Sequence, residues 1–385
     1  MSNYNNSKYN GKSSTYFRLL RKRTMPSFLA AFALIPAVSY AQTNVTFFGS
    51  LDTGIEYLTN AGKTSHSVIQ ATSASIYGNA IGVKGTEDLG GGLNAIFRLE
   101  AGFAPDTGAS LQGGRLFGRQ SWVGLANENN KIVLGRVYTP LYDVIGYLDP
   151  LQGSNVSLWT MDGGMVSRMD KAVRYTRTDG PFHQNVQYSF GSDTIGVPIN
   201  RTAGGGAQSK QVTLSTDYTT KQLMVAAVYD NLHGPLTSPQ YGMSLYVPSL
   251  VPAAPITPQS AQRAVIALRY TWGDTSLFAG YRHLKTIVQE ANNHSNLYWT
   301  GLTQRITPAW SATVGMYHER VVGIDARPTL IALQTQYQLS KRTGLYANLG
   351  KVWNTRQSNM GIDLQTQTLL GASQVGATVG ISHTF

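Results

Sequence analysis

Val45 to Tyr57 reads Val-Thr-Phe-Phe-Gly-Ser-Leu-Asp-Thr-Gly-Ile-Glu-Tyr. Taken two apart, Val45, Phe47, Gly49, Leu51, Thr53, Ile55 and Tyr57 share one face, and Thr46, Phe48, Ser50, Asp52, Gly54 and Glu56 share the other. Successive side chains of a strand point to opposite sides, so this pattern predicts a strand with one greasy and one largely polar face. The same alternation recurs in Gly92–Phe103, Arg263–Trp272, Trp310–Glu319 and Thr329–Leu339. In the last of these Gln334, Gln336 and Gln338 oppose Leu333, Thr335, Tyr337 and Leu339. About sixteen such segments can be counted, an even number as in bacterial membrane barrels.

Composition narrows what these strands build. Only 13% of the 385 residues are charged, against about 25% in a typical soluble domain. Glycine (40) and tyrosine (21) are both plentiful, and there is no cysteine, so the fold closes without disulfides. Beyond the N-terminal region no run approaches the ~18 uninterrupted apolar residues of a membrane helix, whereas the alternating segments have the ~9–11 residues of a tilted membrane strand.

A soluble sandwich also alternates, so the connections decide. Short turns such as Glu128–Lys131, Trp272–Thr275 and Ser340–Thr343 trade places with long links at Ala104–Gly114, Thr139–Arg168, Ser192–Gln208, His233–Gln259 and Thr355–Leu369. That rhythm predicts a transmembrane antiparallel β-barrel with a tight rim and a loose one.

The ends fit this reading. Residues 1–24 hold six basic side chains and no acid, Phe28–Val38 is a short apolar run, and Ser39-Tyr40-Ala41 follows. This is the tripartite pattern of a secretory signal peptide over 1–41, with the barrel occupying 42–385. Cleavage after Ala41 removes those six cations and lowers the formal charge from +11 to +5. No basic cluster remains to suggest nucleic acid. At the other end Val375, Ala377, Val379, Ile381, His383 and Phe385 share a face. Pairing this strand with the first would remove every open edge, a requirement in hydrocarbon, and would set Phe385 in the wall.

Several stretches together resemble the Gram-negative general porins of the β-proteobacterial kind. They are GVKGTEDLGGGLNAIFRLEAGF (Gly82–Phe103), LFGRQSWVGL (Leu116–Leu125), LGRVYTPLYD (Leu134–Asp143), AVRY (Ala172–Tyr175) and the terminal VGISHTF. The resemblance implies an all-β homotrimer of 16-stranded barrels, with short periplasmic turns, long extracellular loops and a third loop folded inward. It sits among outer-membrane lipid and lipopolysaccharide, and a final Phe such as Phe385 is the signal read by the barrel-assembly machinery. Small outward residues near Gly49 and Gly118 would let subunits approach closely.

Period two places Arg98 and Glu100 opposite Phe97, Leu99 and Ala101, hence toward water. An arginine in lipid costs ~2–4 kcal/mol at the midplane, so Arg119, Arg136 and Arg174 are assigned inward too. By resemblance the four arginines form a basic ladder lining the pore, while Asp143, Asp149 and Asp162 lie in the constricting loop. Arg269 and Arg282 fall on presumed inner faces. Ala80 stands where the family has an arginine, and Asp162-Gly-Gly-Met165 replaces the usual loop tip. Opposed basic and acidic rows would create a transverse field favouring small hydrophilic solutes and ions. The excess of arginines points to anion preference. Trp122, Trp272, Trp299, Trp310, Trp353, Tyr57, Tyr270 and Tyr281 are expected in interfacial girdles.

The rival reading closest to this one is a substrate-specific channel. An adhesin or receptor would use the long loops, among them Pro-rich Val247–Pro258. An enzyme on a barrel finds no support: the seven histidines show no His-Glu-x-x-His spacing, and neither Gly-x-Ser-x-Gly nor a phosphate loop occurs. No catalytic residue, metal or cofactor is expected.

Overall fold

The computed structural model describes residues 44–62, 66–165, 168–191, 210–234, 242, 246–250, 259–288, 291–363 and 366–385. The expected signal peptide and the link at 192–208 lie outside them. The N-terminal half of the wall comprises β1 (Asn44–Ala61), β2 (His66–Ser73), β3 (Ala80–Asp88), β4 (Asn94–Gly102), β5 (Gln120–Ala126), β6 (Asn130–Tyr138), β7 (Arg168–Asp179) and β8 (Phe182–Ser189). It continues through β9 (Lys210–Thr219), β10 (Leu223–His233), β11 (Gln259–Trp272), β12 (Thr275–Val288), β13 (Ala291–Thr307), β14 (Trp310–Val321), β15 (Thr329–Gln338), β16 (Thr343–Trp353) and β17 (Gln374–Thr384).

Every neighbouring pair is antiparallel, and the sheet closes on itself. Ser50–Leu58 of β1 pair with Thr384–Gly376 of β17. Phe385 extends the seam, exchanging backbone hydrogen bonds of 3.1 Å in both directions with Gly49. Its ring stacks on Phe47 at 5.7 Å, and a Cβ on Gly49 would lie 2.3 Å from that ring. Gly49 is therefore where the terminal ring rests against the backbone.

Seventeen strands fill sixteen wall positions because β2 and β3 are two pieces of one. Thr53–Ala61 of β1 pair with β2, and Asn44–Ser50 pair with β3. The break at 74–79 is organised by Asp52. Its Oδ2 accepts the backbone N–H groups of Ile76 and Tyr77 at 2.7 Å, and Tyr346 donates to Oδ1 at 2.7 Å. The excursion turns inward, where the carbonyl of Ser75 accepts from the Asn155 N–H at 2.9 Å.

The pleat sorts the barrel inside out. Phe47, Ile55, Val123, Ile266 and Val379 are exposed on the outer face, whereas Asp52, Glu56, Glu100, Arg263, Arg282 and Glu319 are buried within. Trp272, Trp310, Trp353, Tyr57 and Tyr270 are exposed on the outside, and Tyr281 packs beside Tyr298. Trp122 and Trp299 depart from the girdle expectation. Trp122 pairs across the ladder with inward Arg98, and Trp299 is buried with its Nε1 donating to the Leu148 carbonyl at 3.0 Å. Gly118 is buried in the β4–β5 link, its carbonyl accepting from Arg136 Nε, and offers no outward surface.

The turns between β3–β4, β5–β6, β7–β8, β9–β10, β11–β12, β13–β14 and β15–β16 are all short. On the opposite rim the long links are joined by short ones at 289–290 and 322–328, so the rhythm of lengths is less regular than expected. The link between β6 and β7 folds inward through α1 (Pro140–Ile145) and α2 (Leu158–Met161). Thr139 caps α1, accepting the Tyr142 N–H, and Pro140 supplies a preset φ at its first turn. Leu141, Ile145, Leu148, Leu158, Met161 and Met165 are completely enclosed. They pack with inward apolar residues of β10–β16, including Met224, Val265, Leu284, Leu297 and Leu330. One side of the lumen is thus an oily wall covered by a loop.

Candidate functional site

The other side, over β3–β7, carries charge. Arg98 Nε donates to Glu100 Oε2 at 2.9 Å, Arg119 Nε donates to Glu100 Oε1 at 2.5 Å, and Gln120 Nε2 adds a bond of 2.9 Å. One carboxylate therefore serves two guanidinium groups. Arg119 and Arg168 both lie over the Tyr138 ring, at 5.8 and 4.7 Å, and Arg168 Nη2 donates to the Tyr138 hydroxyl at 3.2 Å. Tyr138 begins a pile of rings that enters the loop, with Tyr142 at 4.3 Å and Trp159 a further 5.3 Å on.

Arg136 is aimed inward by a bulge. Val133 is buried and Leu134 exposed, so strict alternation would turn Arg136 toward the outer face. Between Gly135 and Val137 the β6–β7 register slips, and Gly135 adopts φ +139 where a Cβ would run into the Ser121 carbonyl. Only glycine tolerates both conditions. Arg136 Nη1 then reaches Asp170 at 2.8 Å, which also binds Arg115 through both oxygens at 3.0 Å.

The three loop acids have different surroundings. Asp143 bonds Arg174, which also reaches Asn185 Oδ1 at 3.0 Å. Asp149 is fully buried, accepting from the Tyr317 hydroxyl at 2.5 Å and the Gly153 N–H at 2.9 Å. Burial raises its pKa, and those hydrogen bonds offset only part of the rise. Asp162 is buried between two arginines: Arg263 grips both oxygens at 2.9 Å, and Arg282 Nε lies 3.1 Å from Oδ2. Burial alone would raise the pKa of Asp162, but the two guanidiniums hold it below the usual carboxylate range. Arg282 also bonds Glu319 at 2.7 Å.

Of the residues singled out in the sequence, Arg98, Glu100, Arg119 and Arg174 come together along one wall with Asp143 opposite. Asp149, Asp162 and Arg282 belong instead to the buried anchor between loop and wall. Arg269 sits apart, donating to the Tyr147 carbonyl at 3.2 Å. Sequence reasoning passed over Arg263, Glu319, Arg168, Asp170, Lys84 and Lys131. Period two would have found Arg263, two places before buried Val265 on the face that holds Arg269. Among the described residues Lys84, Lys131 and Arg168 make no ion pair, and no group of histidines and acids is arranged for a metal.

Residues 29–357 match the family model described as Gram-negative porin. An outer membrane porin protein of Bordetella pertussis is 30% identical over an alignment covering 93% of this chain and 97% of that one. Among solved structures, the anion-selective porin from Comamonas acidovorans superposes with a TM-score of 0.75 at 22% identity, over 89% of this chain and all of that one. A trimer form of OmpT from Vibrio cholerae gives 0.65 at 16% identity, over 89% and 99% of the two chains.

Proposed function

The chain belongs to the Gram-negative porins, and from that premise we propose that its pore is selective for anions and works as part of a homotrimer. It is an outer-membrane diffusion porin, a water-filled path for small hydrophilic solutes. The selectivity is our reading of the lumen. The observation that carries it is the imbalance on the wall: among the described residues Lys84, Arg98, Arg119, Lys131, Arg168 and Arg174 outnumber the carboxylates beside them, with Glu100 shared by Arg98 and Arg119, Asp143 bonded to Arg174, and Asp88 lining the chamber with Lys84, Arg98 and Lys131. The remaining loop acids, Asp149 and Asp162, are spent in buried contacts.

The field at the narrowest point is therefore set by an under-compensated cationic wall rather than by two opposed rows. Rings of fixed positive charge in a narrow aqueous column concentrate anions and repel cations. The anion-selective relative with the same fold agrees with this reading, as does the trimeric form of the second neighbour with the subunit number. On the same reading residues 1–41 are a cleaved signal, Phe385 serves recognition by the assembly machinery, lipopolysaccharide and lipid contact the apolar outside, and the chain has no catalytic activity.

Reversal potentials in planar bilayers under a potassium chloride gradient test the selectivity. Anion preference is expected, weakening in Arg98→Gln and Arg119→Gln; a cation-preferring wild type would overturn it. Conductance steps grouped in threes are expected from the trimer.

A further inference from the structure

A chamber of about 660 Å³ opens inside the barrel toward the short-turn rim, lined by Lys84, Arg98, Lys131, Thr46, Asn94 and Trp122 among others. Three of those residues are cations. We propose that Lys84, Arg98 and Lys131 form an anion-binding site for small solutes carrying two negative charges, such as dicarboxylates or doubly charged oxyanions. This rests on the anion-selective reading above and assigns it a particular class of solute.

Lys84 and Arg98 stand directly opposite each other in the β3–β4 ladder, where like charges are destabilising. Both cations lie against the same Phe48 ring, at 5.7 and 4.5 Å from its centroid, so they are no more than about 10 Å apart. The repulsion is poorly offset. Glu100 binds Arg98 but is shared with Arg119, and Lys84 has no carboxylate partner among the described residues. Lys131 enters from β6, beside Thr176 in the ladder, again without an acid in contact. Asp88 also lines the chamber, its Oδ1 accepting the Gly90 N–H at 2.8 Å, so one carboxylate there stands against three cations.

Such an arrangement suits a ligand whose charge is spread over two groups. A single chloride satisfies one cation at a time and leaves the others repelling. A dianion can bridge two cations, with the Thr46 hydroxyl and Asn94 amide available to its remaining lone pairs. Trp122 supplies a flat apolar side, since its Nε1 is already donated to Gln120 Oε1 at 3.0 Å.

The test is inhibition of chloride current through the full-length, assembled protein in planar bilayers, with succinate, sulfate or acetate added. Succinate and sulfate are expected to reduce the current saturably, and acetate at equal charge to do so far more weakly. If dicarboxylates alone block, the site selects carbon diacids; if sulfate blocks equally, it takes dianions in general. Loss of one lysine contact should raise the half-blocking concentration about tenfold, the effect of ~1.5 kcal/mol. Lys84→Gln and Lys131→Gln are therefore each expected to weaken block, while Lys131→Arg keeps it even should a glutamine variant assemble poorly. Unsaturating currents, equal effects of succinate and acetate, or unchanged block in both glutamine variants would overturn the proposal. Reversal potentials from the same membranes separate the two readings: anion preference without dianion block rejects the site alone, and dianion block in a cation-preferring channel rejects the selectivity alone.

Discussion

Asp149 and Asp162 are both fully buried acids of the inward loop, yet replacing each by asparagine should have very different effects. Asp162→Asn removes the negative charge from between Arg263 and Arg282, leaving Arg282 to Glu319 and Arg263 opposite Asp230 in the ladder. Breaking a buried ion pair from one side typically costs about 3–5 kcal/mol. Asp149→Asn removes no charge partner: its pKa is already raised by burial, and an amide can still bond Tyr317, which both donates and accepts, and the Gly153 N–H. About 1 kcal/mol is the expected cost there. The loop nevertheless stays seated in both. Its six enclosed apolar side chains contribute on the order of 10 kcal/mol of docking. Mean single-channel conductance should therefore hardly change, while brief opening of the loop becomes more frequent. Hydrogen exchange at amides of Leu158–Met165 reads that opening. It should accelerate about a hundredfold to several thousandfold in Asp162→Asn and only about fivefold in Asp149→Asn. Equal acceleration in the two variants, or a large conductance change in Asp162→Asn, would refute the division of labour between charge and packing.

Loop 354–373 should respond to pH in the opposite sense to Asp162. Burial, and then Glu56 close by, push Asp363 up to about 7; a raised acid pKa gives stability that is complete below the unfolded value of ~3.9 and is lost as pH rises through about 7. Exchange at Gly361 and Ile362, corrected for intrinsic rate, should thus quicken as pH rises from ~4 to about 7, level off above that, and lose this dependence in Asp363→Asn. Asp162, with its lowered pKa, holds its contribution until pH falls below ~3.9, so acid should loosen the inward loop first. On the outer face, Ile266→Arg should cost ~2–4 kcal/mol in urea titrations of lipid-embedded protein, and a cost near zero would contradict the lipid-facing assignment. Gly49→Val should expel the Phe385 ring from its seat and lower the yield of heat-resistant barrel; normal assembly would show that the ring has room to move.

The barrel was legible in the sequence because its governing rule is local. Val45 to Tyr57 sort by parity alone, and β1 sorts them the same way. What parity could not reveal was set at a distance. The split of one strand into β2 and β3 depends on Asp52 attracting the N–H groups of Ile76 and Tyr77, more than twenty residues onward. Arg136 points inward against strict alternation because of a bulge whose signal is a single glycine. Trp122 stands near the start of β5, as girdle residues do, but position along a strand says nothing about which face a ring occupies, and Trp299 lies in the middle of β13 on its inner face. The acids of the inward loop were recognisable as a group. Their separate fates, one against Arg174, one under Tyr317 and one clasped by two arginines, depend on how thirty residues fold back on a wall built later in the chain.

The seam between β1 and β17 also constrains how this molecule can come into being. The residues that meet there, such as Ser50 and Thr384, are separated by more than three hundred positions, so no cylinder exists until the final strand has arrived. Contacts of such long range form slowly, because their loop entropy is lost before any bonding repays it. During that interval the first strand presents an unpaired edge and its row of Phe47, Leu51 and Ile55 to the surroundings. The bilayer is where this problem is relieved, because lipid shelters the oily rows while the two ends zip together.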